Sequence, residues 1–128
     1  MMAGTAHDTK ALVIGALRAA LAGVQVVSTV PYADGDPPGP MVLVIATGGQ
    51  GQHRRVLYTG QVTIDSFAPT MGGAMELALR VDATINALPA SHDYPVTRVT
   101  GNAPAESPDP TITAARATAT YQITTRNA

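Results

Sequence analysis

The segment Gln61-Val-Thr-Ile-Asp-Ser-Phe67, running through Ala68-Pro-Thr70 into an Ala/Leu/Val-rich stretch that ends at Leu88 and Pro89, decides the reading of this chain. Val62 and Ile64 alternate with Gln61, Thr63 and Asp65, the period-two pattern of a strand with one apolar and one wet face. Beyond Pro69 the period lengthens. Ala74, Ala78, Val81, Ile85 and Leu88 share one helical stripe, flanked by Met71 and Leu77, and Glu76 and Arg80 lie opposite it as an i,i+4 pair. Thr70 is placed to cap this helix, and Pro89, which lacks an N–H, should stop it near Leu88. Gly72 and Gly73 weaken its first turn by about 1 kcal/mol each relative to alanine. Met75 and Leu79 sit round the helix from the main stripe, at positions that suit the margin of a core or a subunit contact.

Upstream, Thr5-Ala-His-Asp8 has the form of a capping box, and Val13, Ile14, Leu17, Ala20 and Leu21 recur at helical spacing as far as Gly23. Val24 to Val30 is β-branched and reads as a strand leaving that helix almost without a loop. Pro31 to Pro40 is too rich in proline and glycine for a central strand and reads as a long, stiff loop. Met41 to Ala46 is an apolar run of strand length, expected to be covered on both faces or used in assembly on one. Gly48-Gly-Gln-Gly51 is expected to turn this strand into a return arm, His53 to Tyr58, which passes a bulge at Gly60 into the Gln61 strand. That pair is expected to form the spine of the sheet.

Downstream, Tyr94 to Thr100 reads as a short strand and Asn102 to Pro110 as a proline-rich loop. The last strand alternates plainly, with Ala117, Ala119, Tyr121 and Ile123 on one face and Arg116, Thr118, Thr120, Gln122, Thr124 and Arg126 on the other. The fold class is therefore α+β, in the order α-β-β-β-α-β-β. It calls for an antiparallel sheet of about four to five strands with both helices packed on one face.

At 128 residues the chain suits one domain, residues 1–128, long enough to bury a core without staples. Aromatics make up 4% of the residues, with no Trp and one Phe, so the core must be aliphatic and alanine-rich. The absence of cysteine excludes disulfides and thiolate metal sites, and a net charge of −1 gives no global attraction to nucleic acid or to an acidic membrane. No apolar run approaches the ~20 residues that span a bilayer, and Met1 to Lys10 lacks a signal peptide's basic-then-apolar order, so a soluble cytoplasmic product is expected.

Residue chemistry points to no enzyme. Asp34-Gly-Asp36 has the form of a calcium-loop fragment without its later ligands or closing Glu and is read as turn chemistry, and His7, His53 and His92 lack ligand spacing. Ser66, Ser91 and Ser107 have no nucleophile-elbow context, and Gly48 to Gly51 lacks the Lys-Ser/Thr ending of a phosphate loop. His53-Arg-Arg55 is a small basic patch, read as a solvated hairpin edge before a phosphate contact. No catalytic, cofactor-binding or metal residue is assigned, and no cofactor is expected.

Taken together, the segments resemble a known family. A helix entering a β-branched strand, a proline loop before an apolar strand, and a Gly-Gly turn precede Val62-Thr-Ile-Asp-Ser-Phe-Ala68 and its helix. Val96-Thr-Arg-Val99, Gly101 and Pro108-Asp-Pro110 then lead to Ala117-Thr-Ala-Thr-Tyr-Gln-Ile-Thr-Thr-Arg126. Over nearly the whole chain this order is similar to that of the tail-terminator (tail-completion) proteins of long-tailed phages, especially phages of actinobacteria. The resemblance implies a fold like that of the lambdoid tail terminator, an antiparallel sheet with helices on one side, and a six-membered homo-oligomeric ring. It implies as partners the major tail-tube protein and a neck or head-completion protein, with DNA met only on its passage through the ring. It also implies location at the tail–neck junction of the virion after assembly in the host cytoplasm, no membrane, and no enzymatic activity. The chain departs from the family in the loop before the last strand, where an aromatic such as Trp commonly sits and Ala103-Pro-Ala-Glu106 has none. A different neck or connector protein, or a small-ligand-binding α+β domain, is the alternative.

Overall fold

The computed structural model describes residues 5–29, 39–53 and 56–127. Helix α1 (Thr9–Ala20) starts later than the capping box suggests, because Asp8 is itself the cap: its backbone is extended and its carboxylate accepts the Ala11 N–H at 3.0 Å. Val13, Ala16 and Leu17 face the core. Ala20, assigned to the stripe from its spacing, is exposed, because the helix ends there and Leu21 is already its C-cap. Strand β1 is only Gln25–Val27. The loop from Pro31 to Pro40, with Asp34 and Asp36, lies outside the described residues except for Gly39 and Pro40.

Strands β2 (Met41–His53) and β3 (Leu57–Ala68) form the long hairpin. Its turn is not the glycine tract, since β2 runs through it with register shifts between Ala46 and Gly48 and between Gly48 and Gly51. Gly48, Gly49 and Gly51 take φ of +97°, +110° and +75°, so they bulge the strand instead of reversing it. At Gly49 a Cβ would also stand 2.7 Å from the Thr59 carbonyl oxygen. The bulge expected at Gly60 therefore belongs to the opposite strand. Gly60 keeps regular pairing with Ile123, and it lacks a side chain where Thr9 of α1 presses against it.

Helix α2 (Met71–Asn86) is capped by Thr70, whose Oγ1 accepts the Gly73 N–H at 3.1 Å, and a 3-10 turn, Leu88–Ala90, follows it at Pro89. Its buried residues are Ala74, Leu77, Ala78, Val81 and Ile85. Glu76 and Arg80 are exposed as expected, but they form no ion pair among the described residues. Three strands follow: β4 (Val96–Gly101), β5 (Ala105–Glu106) and β6 (Ala115–Arg126). β4 and β5 occupy the same edge of β6, and between them the Asn102 side chain accepts the Thr120 N–H at 3.1 Å in place of a backbone carbonyl. Part of the expected 102–110 loop is thus an interrupted strand.

The sheet has six strands in the order β1-β2-β3-β6-β4, with β5 beside β6. All pairs are antiparallel except β1 and β2, so the sheet is mixed; residues 28–40 give the length, about a dozen residues or more, that a parallel connection needs. The predicted α-β-β-β-α-β-β order stands, and the slightly higher strand count comes from the β4–β5 interruption. β3 lies at the centre, between β2 and β6. Both helices cover one face: Val13, Leu17, Val81 and Ile85 pack on Val42, Val44, Val62, Ile64, Tyr121 and Ile123. At the start of α2 the layers meet through Ala68, Ala74, Ala78 and Ala117, small residues that let helix and sheet approach closely.

Candidate functional site

The sheet face turned away from the helices is the candidate site. Alternation and register place Met41, Leu43 and Ile45 of β2 beside Phe67, Asp65 and Thr63 of β3, and these beside Arg116, Thr118 and Thr120 of β6. Side chains bridge the two central strands in successive rows. Thr59 Oγ1 meets Thr124 Oγ1 at 2.8 Å, Gln122 Nε2 donates to Gln61 Oε1 at 3.5 Å, and Thr63 Oγ1 meets Thr120 Oγ1 at 3.0 Å. His53 Nε2 joins Thr59 Oγ1 at 3.0 Å, and Gln61 Nε2 donates to Thr47 Oγ1 at 3.1 Å. Such cross-strand pairs are each worth roughly 0.2–1 kcal/mol and stiffen the face without drying it.

One end of this face is covered. Met41, Leu43 and Phe67 are buried, with Val27 and Ile112 packed against them. The segment that carries Ile112 is held by Arg116, which donates from Nε to the Ser107 carbonyl at 2.9 Å and from Nη2 to Ser107 Oγ at 3.2 Å. Asp109 Oδ1 accepts the Thr111 hydroxyl at 2.7 Å and the Thr111 N–H at 2.9 Å. These bonds, the hydroxyl first, together with the charge of Arg116 hold the Asp109 carboxyl below its ordinary pKa.

On the helical side, Met75 and Leu79 part company. Met75 packs against the alanine cluster, whereas Leu79 is 53% exposed; Val56 and Ile45 are the other large apolar side chains left in water among the described residues. A groove of about 370 Å³ runs between Ala16, Ala19 and Ala20 of α1 and Thr84, Leu88 and Tyr94. A smaller polar recess of about 260 Å³ is lined by Asp82, Asn86, Asn102 and Tyr121. There the buried Tyr121 hydroxyl donates to Asp82 Oδ1 at 2.7 Å, and burial, reinforced by that carboxylate, pushes its pKa well above the ordinary tyrosine value.

The residues weighed from sequence do not come together. His53 bonds within the outer face, His92 is exposed in the turn before β4, and His7 precedes α1. Ser66 is buried within β3, Ser91 accepts the Asp93 N–H at 3.1 Å, and Ser107 holds Arg116. No group of three or more His, Asp or Glu side chains could hold a metal ion among the described residues; Asp34, Asp36, Arg54 and Arg55 lie outside them. The Asp82–Tyr121 pair escaped the sequence reading, because its members are separated by 39 positions. Its one signal was the need of a buried tyrosine hydroxyl for an acceptor. No protein-family model matches the chain, and comparison with curated proteins finds no match. No helix among the described residues is long and apolar enough to cross a membrane.

Proposed function

We propose that this chain is a structural virion protein, a subunit of the ring that ends tail-tube polymerisation at the head-proximal end of a phage tail and joins tail to neck. The observation that carries this reading is the agreement of element order and layering. Two helices on one face of a largely antiparallel sheet, in the order α-β-β-β-α-β-β, are what the resemblance to tail terminators implies. The open, hydroxyl-rich sheet face favours a role in contact with other proteins over a small-ligand pocket, which is usually enclosed by convergent apolar walls. On this reading the chain has no enzymatic role and its partners are copies of itself, the tail-tube protein and a neck protein.

The deciding experiment removes the chain from its phage. Tails of irregular, extended length that fail to join heads are expected, with the protein itself located at the tail–neck junction of normal virions by electron microscopy. Tails of normal length joined to heads in its absence would overturn the assignment.

A further inference from the structure

The end of the outer sheet face remote from Phe67 is basic in a way that the sequence does not show. His53, Leu57 and Arg126 fall in one row across β2, β3 and β6, and Arg98 of β4 pairs with Thr124 in the adjoining row. A β-bulge puts Arg98 there. Val96 pairs with Thr125 and Arg98 with Thr124, so Thr97 is the extra residue. Regular pairing from Val96 would set Arg98 opposite Ile123, on the helix side; the bulge sets it opposite Thr124, on the outer face and diagonal to Arg126. Diagonal neighbours of this kind have backbones about 7–8 Å apart. Both arginines are exposed, and neither has a hydrogen bond or ion pair from its guanidinium among the described residues.

Among the described residues no carboxylate pairs with either arginine. Asp65 pairs with Thr118, eight residues along β6 from Arg126, a distance of roughly 27 Å at about 3.4 Å per residue. Asp109 is engaged with Arg116 at that same far end. Asp93, in the turn before β4, forms no ion pair with either arginine. Their neighbours in the register are Thr124 and buried Thr59, whose hydroxyls bond each other and the His53 ring, groups without negative charge.

We propose that this end of the sheet binds the phosphate backbone of duplex DNA without reading its sequence, through Arg98 and Arg126. The choice of DNA over an acidic protein surface rests on the kind of donor present. Arginine forks match phosphate oxygens in pairs, and the row's one apolar side chain among the described residues is half-buried Leu57, little to anchor a protein partner even with exposed Val56 beside it. A single copy offers few phosphate contacts, so binding is weak and strongly salt-dependent, and several copies brought together would add their contacts. Binding of this kind does not require the ring.

The test is fluorescence anisotropy of a labelled 20-base-pair duplex titrated with the full chain at 25 and 150 mM salt. Alongside it are run the double variant Arg98→Gln/Arg126→Gln and, as a control on the helical layer, Arg80→Gln, an exposed arginine without an ion pair among the described residues. Binding at low salt is expected, with the double variant at least fivefold weaker and its log–log salt slope smaller by about 2, one for each phosphate that the variant leaves unneutralised. Circular dichroism would confirm that the exposed substitutions leave the fold intact. Absence of binding by the native chain at 25 mM salt, equal binding by the double variant, or an equal drop in Arg80→Gln would each overturn the proposal. Tighter binding of a polyglutamate probe than of DNA would overturn it too, assigning the patch to an acidic protein instead. None of these outcomes bears on tail length in the phage, so failure here is separable from failure of the terminator assignment.

Discussion

Tyr121 carries more consequence than any other single side chain, because it sits at the centre of the core and still needs a partner for its hydroxyl. Replacing it with Phe removes a hydrogen bond to a carboxylate and should cost roughly 1.5–3 kcal/mol in urea denaturation at neutral pH. The pH dependence has a defined sign. The folded pKa of Tyr121 is raised above its unfolded value of about 10, so the native state holds this proton more tightly than the unfolded chain does. That contribution is complete below pH ~10 and is lost as pH rises toward the folded pKa. The stability difference between the native protein and Tyr121→Phe should therefore shrink above pH 10; a constant difference would contradict it. Ser66 and Thr125 present the opposite case, since both hydroxyls are buried and neither has a partner in the structure. A buried polar group without a hydrogen bond costs about 1–3 kcal/mol. Ser66→Ala and Thr125→Val should each leave stability unchanged or raise it by about 1 kcal/mol, measured by the same denaturation.

At the scale of elements, α2 and the Gln61–Phe67 and Ala117–Ile123 alternations were legible because each obeys one period along its length and shows its burial in the order of residues. Ile85→Ala should accordingly cost ~2–5 kcal/mol while Ala83→Ser on the exposed side changes little; equal losses would mean that the helix is rotated from its observed phase. The glycine tract was misread for a physical reason. Positive φ serves a hairpin turn and a strand bulge equally well, and only pairing with Thr59 and Gln61 tells the two apart. Gly49→Ala should destabilise by at least ~1–3 kcal/mol, through its φ alone and further through the clash with the Thr59 carbonyl, whereas a turn glycine in open space would suffer only the first part. The basic row was hidden for a similar reason. Arg98 reaches the outer face through a one-residue bulge, and strict alternation from Val96 would have assigned it to the core side. The Asn102 bridge, too, depends on a backbone N–H of another strand that no local pattern announces.

For the whole molecule, the sheet edges decide what kinds of assembly are open to it. Past Leu43, β2 has no described neighbour on the β1 side, yet its outer stretch is broken by bulges at Gly48 to Gly51; the opposite edge is bulged at Thr97, interrupted at Asn102 and flanked by Pro104, Glu106 and Pro108. Bulges, prolines and charges of this kind discourage the open-ended addition of strands that makes fibres. If, as proposed, copies associate, the edges leave that contact to faces and side chains, where a heterologous contact closes into a ring only if its rotation per subunit fits. Leu79 on the outer side of α2 and Ile45 at the margin of the open sheet face lie on opposite layers, so one can meet a neighbour on each side of the subunit. Leu79→Gln and Ile45→Gln should each change folding stability by no more than about 0.5 kcal/mol, as exposed substitutions do, and, under the proposed terminator role, should weaken self-association and ring formation on tail tubes. Sedimentation velocity over a concentration series, with counting of capped tube ends by electron microscopy, measures both. If the two variants assemble as well as the native chain, the subunit interface lies elsewhere; if they are destabilised instead, these side chains belong to the core and not to an interface.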